Sequence, residues 1–487
     1  MTAGAAPRRS ILELLLPGGR AEHALVLGGG CPERLRPSAP GAAASVGLVV
    51  VAPSRGEASR AWLEEAVERF AGALDPDGVA YVLVPRRNRF RARRLLRSHG
   101  LVLEPPLLHL PSAADTRQLV PLERHAARDA FDRVVRLTRW KRALLRLVFA
   151  VGGGRVLAAL PRNVALVARP KGARPLLAWL RSHGPPGTAS LRAAFTSSWT
   201  PGAASVVVHP VGDDPAAPVV AKLSLDPAAP VSREAETLAS LGAAAALAGA
   251  TVPEPVASFD LDGIAVLVES RVDGRPAAPE LMRRPARLEA TLERVADWLE
   301  RWQRSTAREA PLSRGLLERE LLAPAASVAP DLEDGDGYLR ALGGVCDSLA
   351  GRPAPLADSH NDLTMWNVLL GADGGLGVVD WEAAEAETLP LKDFFYMAAD
   401  AVAATGRYRD RPEAVRACFV PGHRYNALVA GRRDRIGRAL GVSDELAQVC
   451  FHACWVGHAA NERRAAEPGA DRPFLEIVRW LAATLRT

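Results

Sequence analysis

The chain has 487 residues, of which 48% are hydrophobic and 24% are charged, a composition typical of folded globular proteins and not of disordered chains. Single hydrophobic cores usually span about 100 to 200 residues, so we expect two or three domains. Lysine and arginine (61) against aspartate and glutamate (55) give a net charge of +6, too mild to indicate nucleic-acid binding. The five cysteines are scattered without a CxxC pair, which argues against a disulfide framework and a structural zinc site.

Strand and helix patterns alternate through the first part of the chain. Apolar strands are predicted in ALVLGGG, VGLVVVAP, VAYVLVP and LVLEPPLLHL, and helices in ASRAWLEEAVERFAGAL and RFRARRLLRSHG, with a turn at DPDG. Alternation of this kind with short turns is typical of an open α/β sheet. We therefore predict an α/β Rossmann-like domain over residues 1–130.

The next segment, residues 131–188, is basic and then rich in glycine and proline, and we interpret it as a basic helical connector. Within it, RVVRLTRWKRALLRL at 133–147 could lie on an anionic membrane surface, but a solvated basic face is the favoured interpretation. The N-terminus MTAGAAPRRSILELLLPGG has too short an apolar run for a secretory signal, and arginine or proline interrupts the longer runs. We expect a cytoplasmic protein.

Short β-like runs return after residue 189, in AAFTSSW, SVVVHPVG and PVVAKLS, and a helix is predicted from about residue 231. Strands followed by a helix suit a small antiparallel lobe over residues 189–272. Helical periodicity dominates residues 273–487. The predicted fold is thus an α/β Rossmann-like domain followed by a bilobal α+β domain.

Residues 360–382 read HNDLTMWNVLLGADGGLGVVDWE and carry the main chemical signal. Residues 360–367 match the kinase catalytic loop H-R-D-L-x-x-x-N at every fixed position except the arginine. Phosphoryl transfer needs a group that orients the attacking hydroxyl and hard oxygen ligands for Mg²⁺. Asp362 is the predicted catalytic base, and Asn367 and Asp380 are the predicted metal ligands. The alternative is a hydrogen-bonded turn followed by a hairpin.

Lys222 lies in the apolar strand PVVAKLS, where an unpaired ammonium group would be costly, so it needs an anionic partner. Glu234, at the start of the following helix, is the predicted partner, and Glu236 is the alternative. The pair would hold Lys222 towards the phosphates of ATP.

With these motifs in place, residues 190–487, about three fifths of the chain, resemble the aminoglycoside phosphotransferase and choline kinase family, which has the protein-kinase-like fold. The resemblance implies an ATP- and Mg²⁺-dependent phosphotransferase whose acceptor is the hydroxyl of a sugar, aminoglycoside or amino alcohol. It also implies that adenine contacts the segment VLVESRVDG, centred on Glu269 to Arg271. TSSWTPGAAS, with Ser197 and Ser198, would cover the phosphates in place of a glycine-rich loop.

Two departures from the family pattern affect these expectations. Asn361 stands where family members usually carry glycine, which bears on the local turn geometry. The APE element of protein kinases is missing, which argues for a small-molecule acceptor and against a protein substrate. A catalytically inactive kinase-like scaffold is the alternative function. The sequence predicts no nucleic-acid partner and gives no oligomeric state.

Residues 1–130 resemble S-adenosylmethionine-dependent methyltransferases, especially in the later segments LVVVAP, AWLEEAVERF, LDPDGVAYVLVP and RARRLLRSHGL. ALVLGGG could be the first strand and its glycine turn. A working pocket needs an acidic residue about 20 positions further on, and CPERLRPSAPGAAAS leaves no room for the elements that would carry it. We expect a degenerate domain.

Near the C-terminus, FHACWVGHAANERR could line the acceptor site, but core packing and capping are favoured, and Cys450 and Cys454 are predicted packing thiols.

Overall fold

The computed structural model describes residues 12–17, 23–28, 46–54, 59–111, 116–135, 163–183, 192–200, 203–211, 219–224, 231–261, 264–465 and 471–485. The chain divides into two compact units. The first, which we call the sheet unit, comprises Met1–Ser232 and Pro255–Arg271, and the second, the helical unit, comprises Arg233–Glu254 and Val272–Thr487.

The sheet unit contains one twelve-stranded sheet within the described residues, in the order β1-β2-β3-β7-β5-β6-β8-β9-β10-β13-β12, with β4 paired to β7. Its strands are β1 (Ala24–Leu27), β2 (Val46–Val51), β3 (Leu74–Pro85), β4 (Leu101–Leu103), β5 (Leu107–Pro111), β6 (Thr116–Pro121), β7 (Asn163–Pro170), β8 (Arg192–Thr200), β9 (Ala203–Val211), β10 (Val219–Ser224), β12 (Pro255–Asp260) and β13 (Ala265–Ser270). Its helices are α1 (Arg60–Ala71), α2 (Arg89–Ser98), α3 (Arg124–Arg133) and α4 (Ala178–His183).

Strand β2 shows how the first part of this sheet is buried on both faces. Its sequence VGLVVV has no polar residue, a pattern typical of a strand that is covered on both sides. Leu48 and Val50 pack into one apolar cluster, whereas Val49 and Val51 pack into the other. Strands β1, β2 and β3 are parallel, and α1 forms the crossover that a parallel β2–β3 pair requires.

Strand β7 is where the structure departs from the sequence prediction. It lies in the range interpreted as a connector, yet it runs antiparallel between β3 and β5. In addition β6 pairs with β8, so the strands of the predicted small lobe continue the same sheet, and a separate Rossmann-like domain is not confirmed.

The sequence DPDG, predicted as a turn, lies within β3 beside a shift in the β2–β3 register. Most of the basic stretch 133–147 lies outside the described residues.

The helical unit combines helices with two small sheets, β11-β18-β17-β14 and β15-β16-β19. Its strands are β11 (Ala250–Thr251), β14 (Arg275–Pro276), β15 (Arg308–Pro311), β16 (Pro353–Ser359), β17 (Val368–Leu370), β18 (Leu376–Val378) and β19 (Glu385–Thr388). Its helices are α5 (Val231–Leu247), which begins at the end of the sheet unit, α6 (Ala277–Arg283), α7 (Leu288–Thr306), α8 (Arg314–Leu317), α9 (Ala323–Val328), α10 (Gly335–Leu349), α11 (Lys392–Thr405), α12 (Arg411–Phe419), α13 (Asn426–Leu440), α14 (Asp444–Ala465) and α15 (Pro473–Thr484).

A column of aromatic rings runs through the core of the helical unit. Helix α7 buries Trp298 and Trp302, which stack with ring centroids 5.2 Å apart. Trp302 contacts Trp381 edge-on at 5.3 Å, and Trp381 contacts His360 at 4.9 Å. Large rings contribute much of the apolar burial in a core. The column therefore gives the segment around Trp381 and His360 a rigid support.

The cysteines of the helical unit have the packing role that the sequence predicts for Cys450 and Cys454. Cys346, Cys418, Cys450 and Cys454 are free, buried thiols, and burial raises the pKa of Cys346 to about 11.

In the part of the chain that the structure describes, we find no helix with the length and apolar character needed to cross a bilayer.

Candidate active site

The turn that leaves β16 is held by a carboxylate from α11. The backbone N–H groups of His360 and Asn361 donate to the two carboxylate oxygens of Asp393, at 2.6 and 2.8 Å. Asn361 has a φ of +61°, and its side chain donates to the carbonyl of Ala383 at 3.0 Å. Asparagine is among the non-glycine residues that adopt this left-handed region most readily. Asn361 thus adopts the left-handed turn geometry that glycine adopts most readily.

Asp362 and Asn367 lie together inside this loop. The Nδ2 atom of Asn367 donates to the backbone carbonyl of Asp362 at 2.9 Å and to its Oδ2 at 3.0 Å. Burial raises the pKa of Asp362 to about 8, and the negative charges of Asp380, Asp400 and Glu382 act in the same direction. A cation beside these carboxylates would offset their charge and lower that pKa.

The hairpin β17–β18 brings Asp380 close to Asn367. Val368 is opposite Val378 in the ladder, and the N–H of Val379 donates to the carbonyl of Asn367 at 3.0 Å. Asp380 then takes a φ of +72°, which is uncommon outside glycine. The structure thus places two of the predicted site residues at adjacent positions of one hairpin.

Two further carboxylates lie beside Asp380. One side-chain oxygen each of Glu234, Asp380 and Glu382 lies within 4.8 Å of the others, which makes the three a candidate metal-ligand group among the described residues. Glu234 is buried, and its Oε1 accepts the N–H of Trp381 at 2.9 Å. The sequence analysis missed Glu382, although its position two residues after Asp380 in VVDWE is a signal that could have indicated it.

Helix α11 carries a second anchor for the loop. Asp400 is seven residues after Asp393, so both lie on one face of the helix. Its Oδ2 accepts the N–H of Met365 at 2.7 Å, and Arg411 forms an ion pair with Oδ1 at 3.2 Å. Burial raises the pKa of Asp400, and Arg411 opposes that shift. The sequence analysis missed both anchors, although the i, i+7 spacing in LKDFFYMAAD was visible.

In the sheet unit, Lys222 pairs with a residue predicted for another role. Its ammonium group lies 3.4 Å from the carboxylate of Glu269, on the neighbouring antiparallel strand β13. Glu269 was predicted to lie at the adenine contact together with Arg271, which is half-buried just after β13. Lys222 and Glu234 belong to different units, so their predicted pair stays a prediction, and Glu236 is exposed.

Ser197 and Ser198 lie on strand β8, where their backbone positions pair with Val206 and Ser205 of β9. Their side chains lie outside the described part of the structure, as do residues 201 and 202 at the turn. The predicted phosphate-covering role of this hairpin stays a prediction.

The polar side chains of the segment FHACWVGHAANERR, on α14, pack in the core or cap the next helix. His452 Nδ1 lies 2.9 Å from the hydroxyl of Tyr338, and His458 stacks on Tyr396 with ring centroids 3.7 Å apart. Glu462 accepts the backbone N–H of Phe474 at the start of α15 at 3.1 Å. Burial lowers the pKa of His452 to about 4, so this ring is neutral at physiological pH. The geometry agrees with the favoured interpretation, core packing and capping.

A comparison with protein families finds a match over slightly less than half of the chain. Residues 202–424 match the phosphotransferase enzyme family. This match confirms the predicted resemblance for that part of the chain. It does not include residues 1–201, so the methyltransferase-like resemblance of the N-terminal part stays a prediction. A search of curated proteins finds no match.

Several solved structures of small-molecule kinases are similar to the chain. An aminoglycoside phosphotransferase from Streptomyces rimosus, in complex with ADP and streptomycin, is 16% identical over 56% of this chain and 94% of its own, with a TM-score of 0.35. A putative fructosamine-3-kinase from Haemophilus somnus is 8% identical over 61% and 92%, with a TM-score of 0.36. A choline kinase from Streptococcus pneumoniae is 11% identical over 60% and 88%, with a TM-score of 0.34.

Proposed function

We propose that the protein transfers a phosphoryl group from ATP to the hydroxyl of a small molecule, with Mg²⁺ as the metal ion. The observation that carries this proposal is the bond from Asn367 to Asp362 beside the carboxylates of Glu234, Asp380 and Glu382. A base for the acceptor and a set of hard oxygen ligands are the two features that phosphoryl transfer asks of a protein.

Asp362 is the group that orients the acceptor hydroxyl and accepts its proton. The bond from Asn367 fixes the orientation of the carboxylate, and the anchoring of Met365 by Asp400 fixes the loop that carries it. A base held in one orientation loses little entropy when the acceptor arrives. General-base catalysis of this kind contributes about 10² to 10⁴-fold to the rate.

The donor set beside Asp362 fits Mg²⁺, which prefers carboxylate and amide oxygens. Asn367 uses its Nδ2 to bond Asp362, so its Oδ1 is the atom that would face a cation. Asp380 and Glu382 would supply carboxylate oxygens close to it. When bound, the metal would neutralise charge on the phosphates. Lys222, Glu269 and Arg271 keep their predicted contacts with the nucleotide.

The direct experiment measures ADP formation from ATP and Mg²⁺ with a panel of sugars, aminoglycosides and amino alcohols. We expect at least one acceptor to raise ADP formation above the rate without acceptor. Asp362→Asn should lose that increase, because an amide cannot accept the proton. The matched control is Asp373→Asn, which lies in the β17–β18 turn, where Asp373 accepts the N–H of Gly375, and it should keep the activity.

The alternative, an inactive kinase-like scaffold, predicts a different outcome. No member of the panel would raise ADP formation, and Asp362→Asn would match the wild type with every acceptor. Binding of MgATP without any turnover would favour the scaffold and contradict the proposed phosphotransferase.

A further inference from the structure

Helix α2 of the sheet unit and the turn before it are densely basic. Residues 86–97 read RRNRFRARRLLR and contain arginine at positions 86, 87, 89, 91, 93, 94 and 97. No aspartate or glutamate occurs between Asp77 and Glu104. The segment therefore concentrates more positive charge than the net charge of the whole chain suggests.

Four of these seven arginines share one face of the segment with an exposed aromatic ring. Ala92 and Leu96 are the buried residues of α2, and they fix the inward side of the helix. Phe90 lies on the outward side and is 70% exposed. Arg94 and Arg97 follow it at i+4 and i+7, so they lie on the same face of the helix, and Arg86 and Arg87 extend that face into the preceding turn. We call these five residues the α2 arginine face.

In the part of the chain that the structure describes, no acidic side chain neutralises the charges on this face. Within the described residues, the four arginines of the face form no ion pair, and Arg91 of the same helix lies 3.8 Å from Glu64. Burial lowers the pKa of the adjacent Arg93, and the positive charges of Arg97 and Arg89 lower it further. Like charges that crowd together without a counter-ion on the protein repel one another, and an external anionic surface would relieve that repulsion.

We propose that the α2 arginine face docks the protein on the surface of a membrane that contains anionic phospholipids. Arginine head groups would bind lipid phosphates, and Phe90 would enter the interface between head groups and acyl chains. Basic residues around an apolar side chain are typical of helices that lie on anionic membranes. The site is separate from the proposed phosphotransferase chemistry and does not depend on it.

A membrane fits the face better than a nucleic acid does. Direct reading of a base sequence in the major groove uses amide side chains for adenine as well as arginine for guanine. Here the outward residue between the arginines is a phenylalanine, and the polar residues Asn88 and Ser98 lie at the two ends of the segment. Ser98 already bonds the carbonyl of Leu95 at 2.8 Å. Charge with an exposed apolar ring matches a phospholipid surface.

The test is co-sedimentation of the full-length protein with vesicles of phosphatidylcholine alone or with about one third phosphatidylglycerol. We expect binding to the anionic vesicles only, and its loss at about 0.5 M NaCl, because salt screens exposed charges. The triple variant Arg87→Glu, Arg94→Glu, Arg97→Glu should bind about 100-fold more weakly or worse. Phe90→Ser should bind several-fold more weakly at unchanged charge.

The matched control reverses three exposed arginines elsewhere, Arg340→Glu, Arg409→Glu and Arg438→Glu, which changes the net charge equally. It should bind the vesicles as the wild type does. Equal losses in both triple variants would overturn the proposal, because binding would then follow net charge alone. Tighter binding of duplex DNA or RNA than of anionic vesicles, or no binding to the vesicles by the wild type, would also overturn it. Circular dichroism establishes that each variant is folded.

Discussion

The cores of the two units differ in how many carboxylate side chains they bury. In the sheet unit the buried hydrophobic residues, aliphatic and aromatic, form two clusters on the two faces of the sheet, and Glu269 is the one buried carboxylate among the described residues of that unit. The helical unit buries several carboxylates, among them Glu234, Glu320, Asp393 and Asp400. Burying charge is costly unless donors surround it, and here backbone N–H groups supply them. A unit that keeps such groups is organised around chemistry as well as packing.

The largest expected effect concerns Asp362. If it deprotonates an alcohol, Asp362→Ala should lower turnover by about 10² to 10⁴-fold, while the affinity for MgATP hardly changes. The loss is felt in the transition state, because Asp362 acts on the acceptor and Asn367 and Asp380 act on the metal. Steady-state kinetics on an identified acceptor, with calorimetry for MgATP, measures both quantities.

Asn367→Ala and Asp380→Asn are the comparison variants for that prediction. Both should weaken Mg²⁺-dependent nucleotide binding as well as turnover, because a cation would lose a ligand oxygen or a charge. Full turnover by Asp362→Ala would contradict the catalytic role of Asp362. It would favour the alternative, in which the polar residues of this loop form only a hydrogen-bonded turn.

The next effect concerns the carboxylate anchors. Asp400→Ala would leave Arg411 and the N–H of Met365 without their partner, so we expect a loss of about 3 to 5 kcal/mol in the free energy of unfolding. Turnover in the folded fraction should fall by about 10²-fold, because the loop that carries Asp362 shifts. Urea denaturation and kcat measurements test the two parts separately.

Two variants sharpen the comparison between the units. Asp400→Asn keeps an acceptor for Met365 and should recover most of the turnover. Glu104→Ala breaks the ion pair of Arg169 with Glu104, 2.7 Å long, in the sheet unit, and should lower stability without changing turnover. An Asp400→Ala protein with wild-type stability and kcat would show that the anchor is dispensable.

A smaller effect is expected from pH. Burial lowers the pKa of His458 from 6.5 to about 3, so its contribution to stability is complete above pH 6.5 and is lost as the pH falls from 6.5 towards 3. At pH 5 the loss should reach about 2 kcal/mol. His458→Phe keeps a ring against Tyr396 and Phe474 and should remove this pH dependence.

The measurement is the difference between wild type and His458→Phe in unfolding free energy across pH 4 to about 8. The difference is needed because Asp393 acts in the opposite direction. Burial raises the pKa of Asp393 to about 6, so its contribution is present at low pH and is lost as the pH rises through about 6. Parallel curves for the two proteins would contradict a buried neutral His458.

The last prediction is that S-adenosylmethionine does not bind. We expect the full-length protein to show no saturable binding of S-adenosylmethionine by calorimetry, because the segment after ALVLGGG lacks an acidic residue at the position that would hold the ribose hydroxyls. Micromolar binding would show that the sheet unit keeps a working cofactor pocket.

Local sequence patterns predicted the elements that depend on local physics. Strand β2 and helices α1 and α2 follow from their apolar periodicity, and the loop at Asp362 follows from its motif. Strand β7 could not be placed, because its partners β3 and β5 are distant in sequence and periodicity does not identify a partner.

The same limit applies to the site. The pairing of Lys222 with Glu269 depends on the register of β10 against β13, which the sequence does not specify. The anchoring bonds of Asp393 and Asp400 depend on where α11 packs, and only their shared helical face was visible. Side-chain chemistry was therefore predictable at the motif, and the supports of the motif were not.

The pairing of β6 with β8 limits how this gene can be divided. Gln118 and Leu119 pair with Thr196 and Phe195, so the strand just before the matched residues 202–424 has its neighbour upstream in the sequence. A recombinant fragment that starts near residue 189 would expose the edge of β8, with unpaired N–H and C=O groups beside the apolar face that contains Phe195. Such edges template intermolecular pairing. Residues 189–487 are therefore a poor choice for a recombinant fragment, and fragments that begin just before β8 should aggregate where the whole chain does not.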